Sequence, residues 1–151
     1  MIKIICIGKL KEKYWTDAVN EYLKRLSKYT KIEVIELNDS KIDDPVIALK
    51  QEKQLILSKI SDKDYIITLE IDGKSLTSIE LAKKIETLTV QYPNLCFIIG
   101  GSNGIHEEIR KKSSLKLSFS SLTFPHQLFR VMFLEQLYRA YKINNNESYH
   151  K

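Results

Sequence analysis

Short apolar runs alternate along this chain with longer amphipathic stretches, and that alternation leaves few folds open. Ile2–Ile7, Lys31–Leu37, Tyr65–Ile71, Leu95–Ile99 and Leu115–Phe119 each read as strands rich in Ile, Val, Leu and Phe. Leu95-Cys96-Phe97-Ile98-Ile99 has no polar member and reads as a strand buried on both faces. Between the runs lie helical patterns. From Tyr14, the residues Trp15, Ala18, Val19, Tyr22, Leu23, Leu26 and Tyr29 recur at three and four, and their aromatic stripe reads as core packing. Pro45 stands where a helix over Val46–Ile60 would begin, and Ser75–Val90 reads as a helix capped by Thr77 or Ser78 with Glu80 nearby. Ile105–Lys111 and Pro125–Ile143 supply two more, while Asp72-Gly73 marks a turn after the third strand. Strands joined through helices by short connections predict an α/β fold. Its sheet is mainly parallel, with five to six strands and helices on both faces.

At 151 residues the chain suits one domain, residues 1–151, with a core of its own. No apolar run approaches the length of a membrane span, and the apolar start MIKIICIG is too short for a signal peptide. Cys6 and Cys96 fall inside predicted core strands and read as inert thiols, and no spacing suggests a metal site. A cytoplasmic protein without a metal is expected. The net charge of +5 and pI near 9.1 are compatible with an anionic partner such as RNA.

Three of the five glycines stand in Gly100-Gly101-Ser102-Asn103-Gly104, directly after the fourth strand. Such a cluster suggests a tight turn that something approaches closely. The fifth strand likewise ends in a loop of small and hydroxyl-bearing residues, Ser118 to Phe124, before Pro125. In open α/β sheets the ligand crevice lies outside the carboxyl ends of the strands, and these two loops are the predicted site. Lys9, Lys11 and Lys13 form a phosphate-facing patch or a solvated loop beside the first strand's end. The last helix is apolar around most of its circumference, leaving a stripe of Gln127, Arg130, Glu135, Gln136, Arg139 and Lys142. Burial on more than one side is implied, one side being a second copy in a homodimer. The tail, Asn144 to Lys151, is by default a frayed terminus.

Three chemistries compete for the glycine turn. Gly100-x-Ser102-x-Gly104 fits the nucleophile elbow of a small serine hydrolase, with Glu135 or Glu147 and then His150 in order. Little chain follows Ser102, however, and no oxyanion loop precedes it. Neither a P-loop nor a dinucleotide fingerprint is present. A ligand held by backbone groups of Gly100 and of the Phe119 to Phe124 loop would suit a small amphipathic molecule bearing an adenine ring. The third reading is a non-catalytic RNA-binding module, and the bland alternative is two turns that merely connect the sheet.

IGGSNG, then LSFSSLTFPHQLFRVMFLEQLYRAYKI, then the terminal Tyr149-His150 resemble the ribosomal RNA large subunit methyltransferase H family of the SPOUT superfamily. IGKLKEKYW and ITLEIDGK are similar as well, so the resemblance covers essentially the whole chain. It departs at Asn145-Asn146, where some members carry Arg-Gly; Asn tolerates the left-handed backbone that Gly allows. The resemblance implies a SPOUT fold with a C-terminal trefoil knot, S-adenosyl-L-methionine as cofactor, and a homodimer acting on assembled ribosomes. The reaction it implies is N3-methylation of a pseudouridine in helix 69 of 23S rRNA. It places the cofactor at Leu69, Gly100, Phe119, Ser120, Ser121, Leu122, Thr123 and Phe124, largely through main-chain contacts.

On that resemblance the expected mechanism is direct methyl transfer, with His150 as base, Tyr149 placing or stacking on the ring, and Arg139 near the developing charge. His106 and His126 are expected to be structural or capping residues. Lys9, Lys11, Lys13 and Arg130 are the expected RNA-backbone contacts. One subunit would hold the cofactor while the other's tail or basic loop reaches across.

Overall fold

A computed structural model describes all 151 residues, Met1–Lys151. Five strands, β1 (Ile2–Ile7), β2 (Ile32–Leu37), β3 (Asp64–Ser75), β4 (Asn94–Ile99) and β5 (Leu115–Ser118), form one sheet in the order β2-β1-β4-β3-β5. Every pairing is parallel. The helices are α1 (Lys13–Leu26), α2 (Pro45–Leu57), α3 (Ser78–Gln91), α4 (Glu107–Lys112) and α5 (His126–Asn144). Parallel strands need crossovers, and here α1, α3 and α5 cover one face while α2 and α4 cover the other. The expected α/β architecture is the one observed.

Side chains alternate across the strands with period two. Ile2, Ile4, Cys6, Leu95, Phe97 and Ile99 join the larger core under α1, α3 and α5, whereas Ile5, Ile7, Cys96 and Ile98 meet Ile56 of α2 and Ile109 of α4. Both cysteines are buried, and burial pushes their thiols up to about 11 for Cys6 and about 12 for Cys96. α3 opens with a reciprocal capping box: Thr77 accepts from the Glu80 N–H and Glu80 accepts from the Thr77 N–H.

Two elements depart from the sequence reading. Asp72-Gly73 is not the turn that ends the third strand. β3 runs on to Ser75, and Leu69 and Lys74 both pair with Leu117, so Glu70 to Gly73 form a bulge inside the strand. At Gly73 a Cβ would stand 2.7 Å from the Leu117 carbonyl carbon, so the glycine lets two backbones meet where a turn was expected. The tail is not frayed either. Asn146 takes φ of 54°, Glu147 accepts from Lys142 and from the Tyr29 hydroxyl at 2.9 and 2.7 Å, and Tyr149 packs edge-on against Tyr138. The left-handed turn expected at Asn145-Asn146 is made by the second asparagine.

Most of α5 is covered within its own protomer. It lies between α1 and α3 on the sheet, which buries Phe133, Leu134, Leu137, Tyr138 and Ala140. A helix apolar nearly all round therefore needs no second subunit to explain most of its circumference. Leu128, Phe129, Val131 and Met132, toward its N-terminal half, remain only half-buried.

Candidate functional site

The carboxyl ends of β4, β3 and β5 enclose a cleft of about 380 Å³. Chain leaving β3 turns to the α3 face and chain leaving β4 to the α4 face, which makes this a switch point of the sheet. Its floor is apolar: Leu69, Ile99 and Leu117 are buried, with Phe119 and Phe129 packed at 5.2 Å beside them. Gly100 forms one wall. A Cβ there would lie 2.5 Å from the Gly104 carbonyl oxygen and 2.8 Å from Ile105 Cγ1, so no larger residue leaves the turn in place. The Phe119 to Phe124 loop forms the facing wall, and the β3 bulge closes the third side.

The outer rim is charged. Arg110 Nε donates to Glu70 Oε1, and Arg110 Nη1 donates to Glu107 at 3.1 Å. The other Glu70 oxygen accepts from Thr68, whose hydroxyl also meets Ser113 at 3.0 Å. Asp72 lies on the bulge beside them. An apolar floor with a charged mouth and glycine walls fits an amphipathic nucleoside bearing a polar arm. A methyl donor bound here would supply an electrophilic methyl group; the chain's own part is to grip the nucleoside and aim it.

A second constellation gathers on the C-terminal half of α5. Glu135 is its hub, accepting from Arg139 Nη2 at 2.5 Å and from the Tyr149 hydroxyl at 3.0 Å. Arg139 Nη1 lies 3.1 Å from His150 Nδ1, and its guanidinium sits 4.8 Å over the Tyr149 ring. Burial, then the bond to Glu135, pushes the Tyr149 phenol up to about 12, so it stays protonated and donates. Arg139 Nε is buried without a partner. Glu135 also borders a groove of about 500 Å³ that shares Leu117, Phe119 and Phe124 with the cleft.

The predicted residues thus fall into two groups. Leu69, Gly100, Phe119, Ser120, Leu122, Thr123 and Phe124 line the cleft; Ser121 does not. Arg139, Tyr149 and His150 come together, but none of them lines the cleft. Ten residues of helix separate Arg139 from Phe129 on the cleft wall, about 15 Å at the α-helical rise.

Other expectations need correction. Arg130 is not available to an RNA backbone: its side chain is 4% exposed, and it donates to Glu36 at 2.6 Å and to the Gly8 carbonyl at 3.0 Å. The helix that carries it turns that position inward onto the β1 end. Lys9 and Lys11 are exposed and unpaired, whereas Lys13 bonds Asp17 one turn along α1. His106 does cap α4, accepting from the Glu108 N–H at 3.1 Å. His126 caps nothing and instead lines the cleft. Ser102 sits exposed on the turn and its hydroxyl bonds no histidine, so no relay for a hydrolase exists. Sequence reading missed Glu70, Asp72 and Arg110, which nothing local marks, and gave Glu135 no role beside Arg139, although the (i, i+4) spacing on a helix was visible. No group of three or more His, Cys, Asp or Glu side chains is gathered as for a metal, and no helix is long and apolar enough to cross a membrane.

An all-parallel sheet with a glycine-walled cleft at its switch point, and a loop after β5 as the opposite wall, is compatible with a methyltransferase of the SPOUT class. Family comparison agrees: residues 1–150 match the family described as "Predicted SPOUT methyltransferase", and the chain belongs to it. S-adenosyl-L-methionine, the cofactor expected from the sequence, is the methyl donor of that family. The chain is 50% identical over 157 residues to a ribosomal RNA large subunit methyltransferase H of Clostridium botulinum (strain Alaska E43 / Type E3), covering 99% of each. It is 49% identical, with the same coverage, to the protein of that name from Clostridioides difficile (strain 630). Among solved structures, a probable methylase family protein from Haemophilus influenzae Rd KW20 shares the fold, with a TM-score of 0.58 at 16% identity. That likeness spans 99% of this chain and 70% of the other.

Proposed function

We propose that this protein is a cytoplasmic homodimer that methylates N3 of a pseudouridine in helix 69 of 23S rRNA on assembled ribosomes. Its relatives named for large-subunit rRNA methylation, alike over the full length, supply the substrate class. The observation that carries the two-subunit reading is the separation of the parts: the cofactor cleft and the Arg139-Tyr149-His150 group lie at different places along α5. A site completed by the partner's tail brings them together. The half-buried Val131 and Met132, beside Glu135 in the second groove, give the partner a surface to cover.

In this reading Leu69, Gly100 and the Phe119 to Phe124 loop would hold S-adenosylmethionine, which would supply the electrophilic methyl group. Arg139 leaves His150 Nδ1 to offset charge developing on the ring oxygens, the freed Nδ1 accepts the N3 proton, and Tyr149 seats the base. Glu135 keeps Arg139 and Tyr149 in register. Lys9 and Lys11 steer the rRNA backbone, while the ribosome's shape supplies most of the recognition. The C-terminal trefoil knot belongs to the same proposal, supported by the close seat of the β3 bulge against β5.

The test is transfer of label from S-adenosylmethionine to ribosomes lacking the modification, with the methylated nucleoside mapped by mass spectrometry. Label confined to that pseudouridine is the expected result. Label at another nucleotide would refute the assigned target, and a monomer at micromolar concentration would refute the shared site.

A further inference from the structure

The mouth of the cleft carries two opposite charges that a nucleoside alone would not require. Asp72 stands exposed on the β3 bulge and makes no hydrogen bond or ion pair, although it lies within electrostatic reach of Arg110. Arg110, 33% exposed, is fixed at Nε by the nearly buried Glu70, which Thr68 holds in turn. Its outer nitrogens face the rim, where Nη1 meets only Glu107, a 57% exposed carboxylate one turn away on α4. Such a surface pair is weak. Glu107 therefore occupies, loosely, a place that a ligand carboxylate could take in the two-pronged geometry a guanidinium favours.

We propose that Asp72 and Arg110 form a subsite for a zwitterionic α-amino-acid group. Asp72 receives the ammonium and Arg110 the carboxylate of the methionine arm. The inference rests on the reading that the cleft takes S-adenosylmethionine. Burial sets the orientation: the apolar, buried floor of Leu69, Ile99 and Leu117 suits the purine, and the exposed, charged rim suits the amino acid. The Glu70 anchor matters because it holds the guanidinium at the rim before any ligand arrives, so binding need not order a long side chain. Replacing Arg110 outright would strand Glu70, whose side chain is only 9% exposed. The informative variants are consequently at the two exposed acids.

Calorimetry with the full-length protein would compare S-adenosylhomocysteine with 5′-methylthioadenosine, which has the same nucleoside and sulfur but no amino-acid arm. The unsubstituted protein should bind the former at least about tenfold more tightly, the size of a charged hydrogen bond gained. Asp72→Asn should weaken S-adenosylhomocysteine about tenfold and leave methylthioadenosine within about twofold. Glu107→Gln should strengthen S-adenosylhomocysteine about two- to threefold by freeing the guanidinium. Equal affinity for the two ligands, or an Asp72→Asn loss shared by both, would overturn the subsite while leaving the cleft assignment intact. Failure of both ligands to bind would overturn the cleft assignment and the subsite with it.

Discussion

Replacing Gly100 by Ala puts a methyl carbon 2.5 Å from the Gly104 carbonyl oxygen and 2.8 Å from both the Gly104 carbonyl carbon and Ile105 Cγ1. Ordinary contact begins near 3.4 Å, so the turn must open until 2.5 Å becomes 3.4 Å. Backbone stands in the way, and the Gly104 N–H is tied to the Gly101 carbonyl at 3.0 Å, so the strain cannot be shed by a rotamer change. Overpacking of this kind costs about 1–3 kcal/mol. For a chain of this length about 2 kcal/mol lowers Tm by roughly 4–8 °C. Because the displaced turn is a wall of the cleft, S-adenosylhomocysteine should bind at least about tenfold more weakly, by analogy with the sensitivity of bound geometry to displacements near 1 Å. Gly104→Ala is the control. Gly104 has φ of +79° but nothing within 4 Å of the point where an added methyl would stand. Strain there, about 1–2 kcal/mol, acts without a push into the cleft. Scanning calorimetry and titration calorimetry on both variants separate the effects. If Gly100→Ala matched Gly104→Ala in both Tm and ligand affinity, the steric account of the glycine wall would be wrong.

His150→Ala should lower methyl transfer while S-adenosylhomocysteine affinity stays near normal; unchanged turnover would remove the imidazole from the chemistry. Mixing Gly100→Ala with His150→Ala subunits should raise transfer above that of either homodimer, and mixing without a gain would place cleft and tail in one subunit. Glu135→Gln, which weakens the hold on Arg139 and Tyr149, should cut kcat more than KM for ribosomes, measured in single-label transfer assays. Lys3 Nζ bonds Asp64 at 2.6 Å with both side chains buried, so Lys3→Met should cost about 3–5 kcal/mol in denaturant unfolding. Burial alone would raise the Asp64 carboxyl, but bonds from Lys3, the Ser61 N–H and Asn94 outweigh it and hold the group below 3.8. Its stabilisation is therefore complete above 3.8 and lost as pH falls through the lower folded value, and Asp64→Asn should flatten that acid limb.

Much of the site was legible because its reporters are local. The glycine cluster after Leu95–Ile99 and the serine-rich bend after β5 carry their own conformational signals, and both became walls of the cleft. Asp72-Gly73 misled for the same reason: the pair favours a turn in isolation, yet here β5 lies close enough to keep the strand paired beyond a bulge. Arg130 misled because helical periodicity gives a face but not what lies opposite it. The Gly8 carbonyl and Glu36, 122 and 94 residues away in sequence, draw its guanidinium inside. The tail looked frayed because no short-range pattern announces that Tyr29 and Lys142 wait for Glu147.

What the residues determined alone was the inventory: five apolar strands, five helices, an inert pair of thiols and two loops rich in small residues. Those follow from periodicity, capping and backbone freedom, which act over a few positions. The tertiary structure decided which strand ends became neighbours, and hence that the loops after β4 and β5 face one another across β3. It also set Glu135 between Arg139 and Tyr149, and Asp72 near Arg110. Such pairings depend on the order in which parallel strands assemble, a choice made by the burial of both sheet faces together and written in no single stretch of the chain.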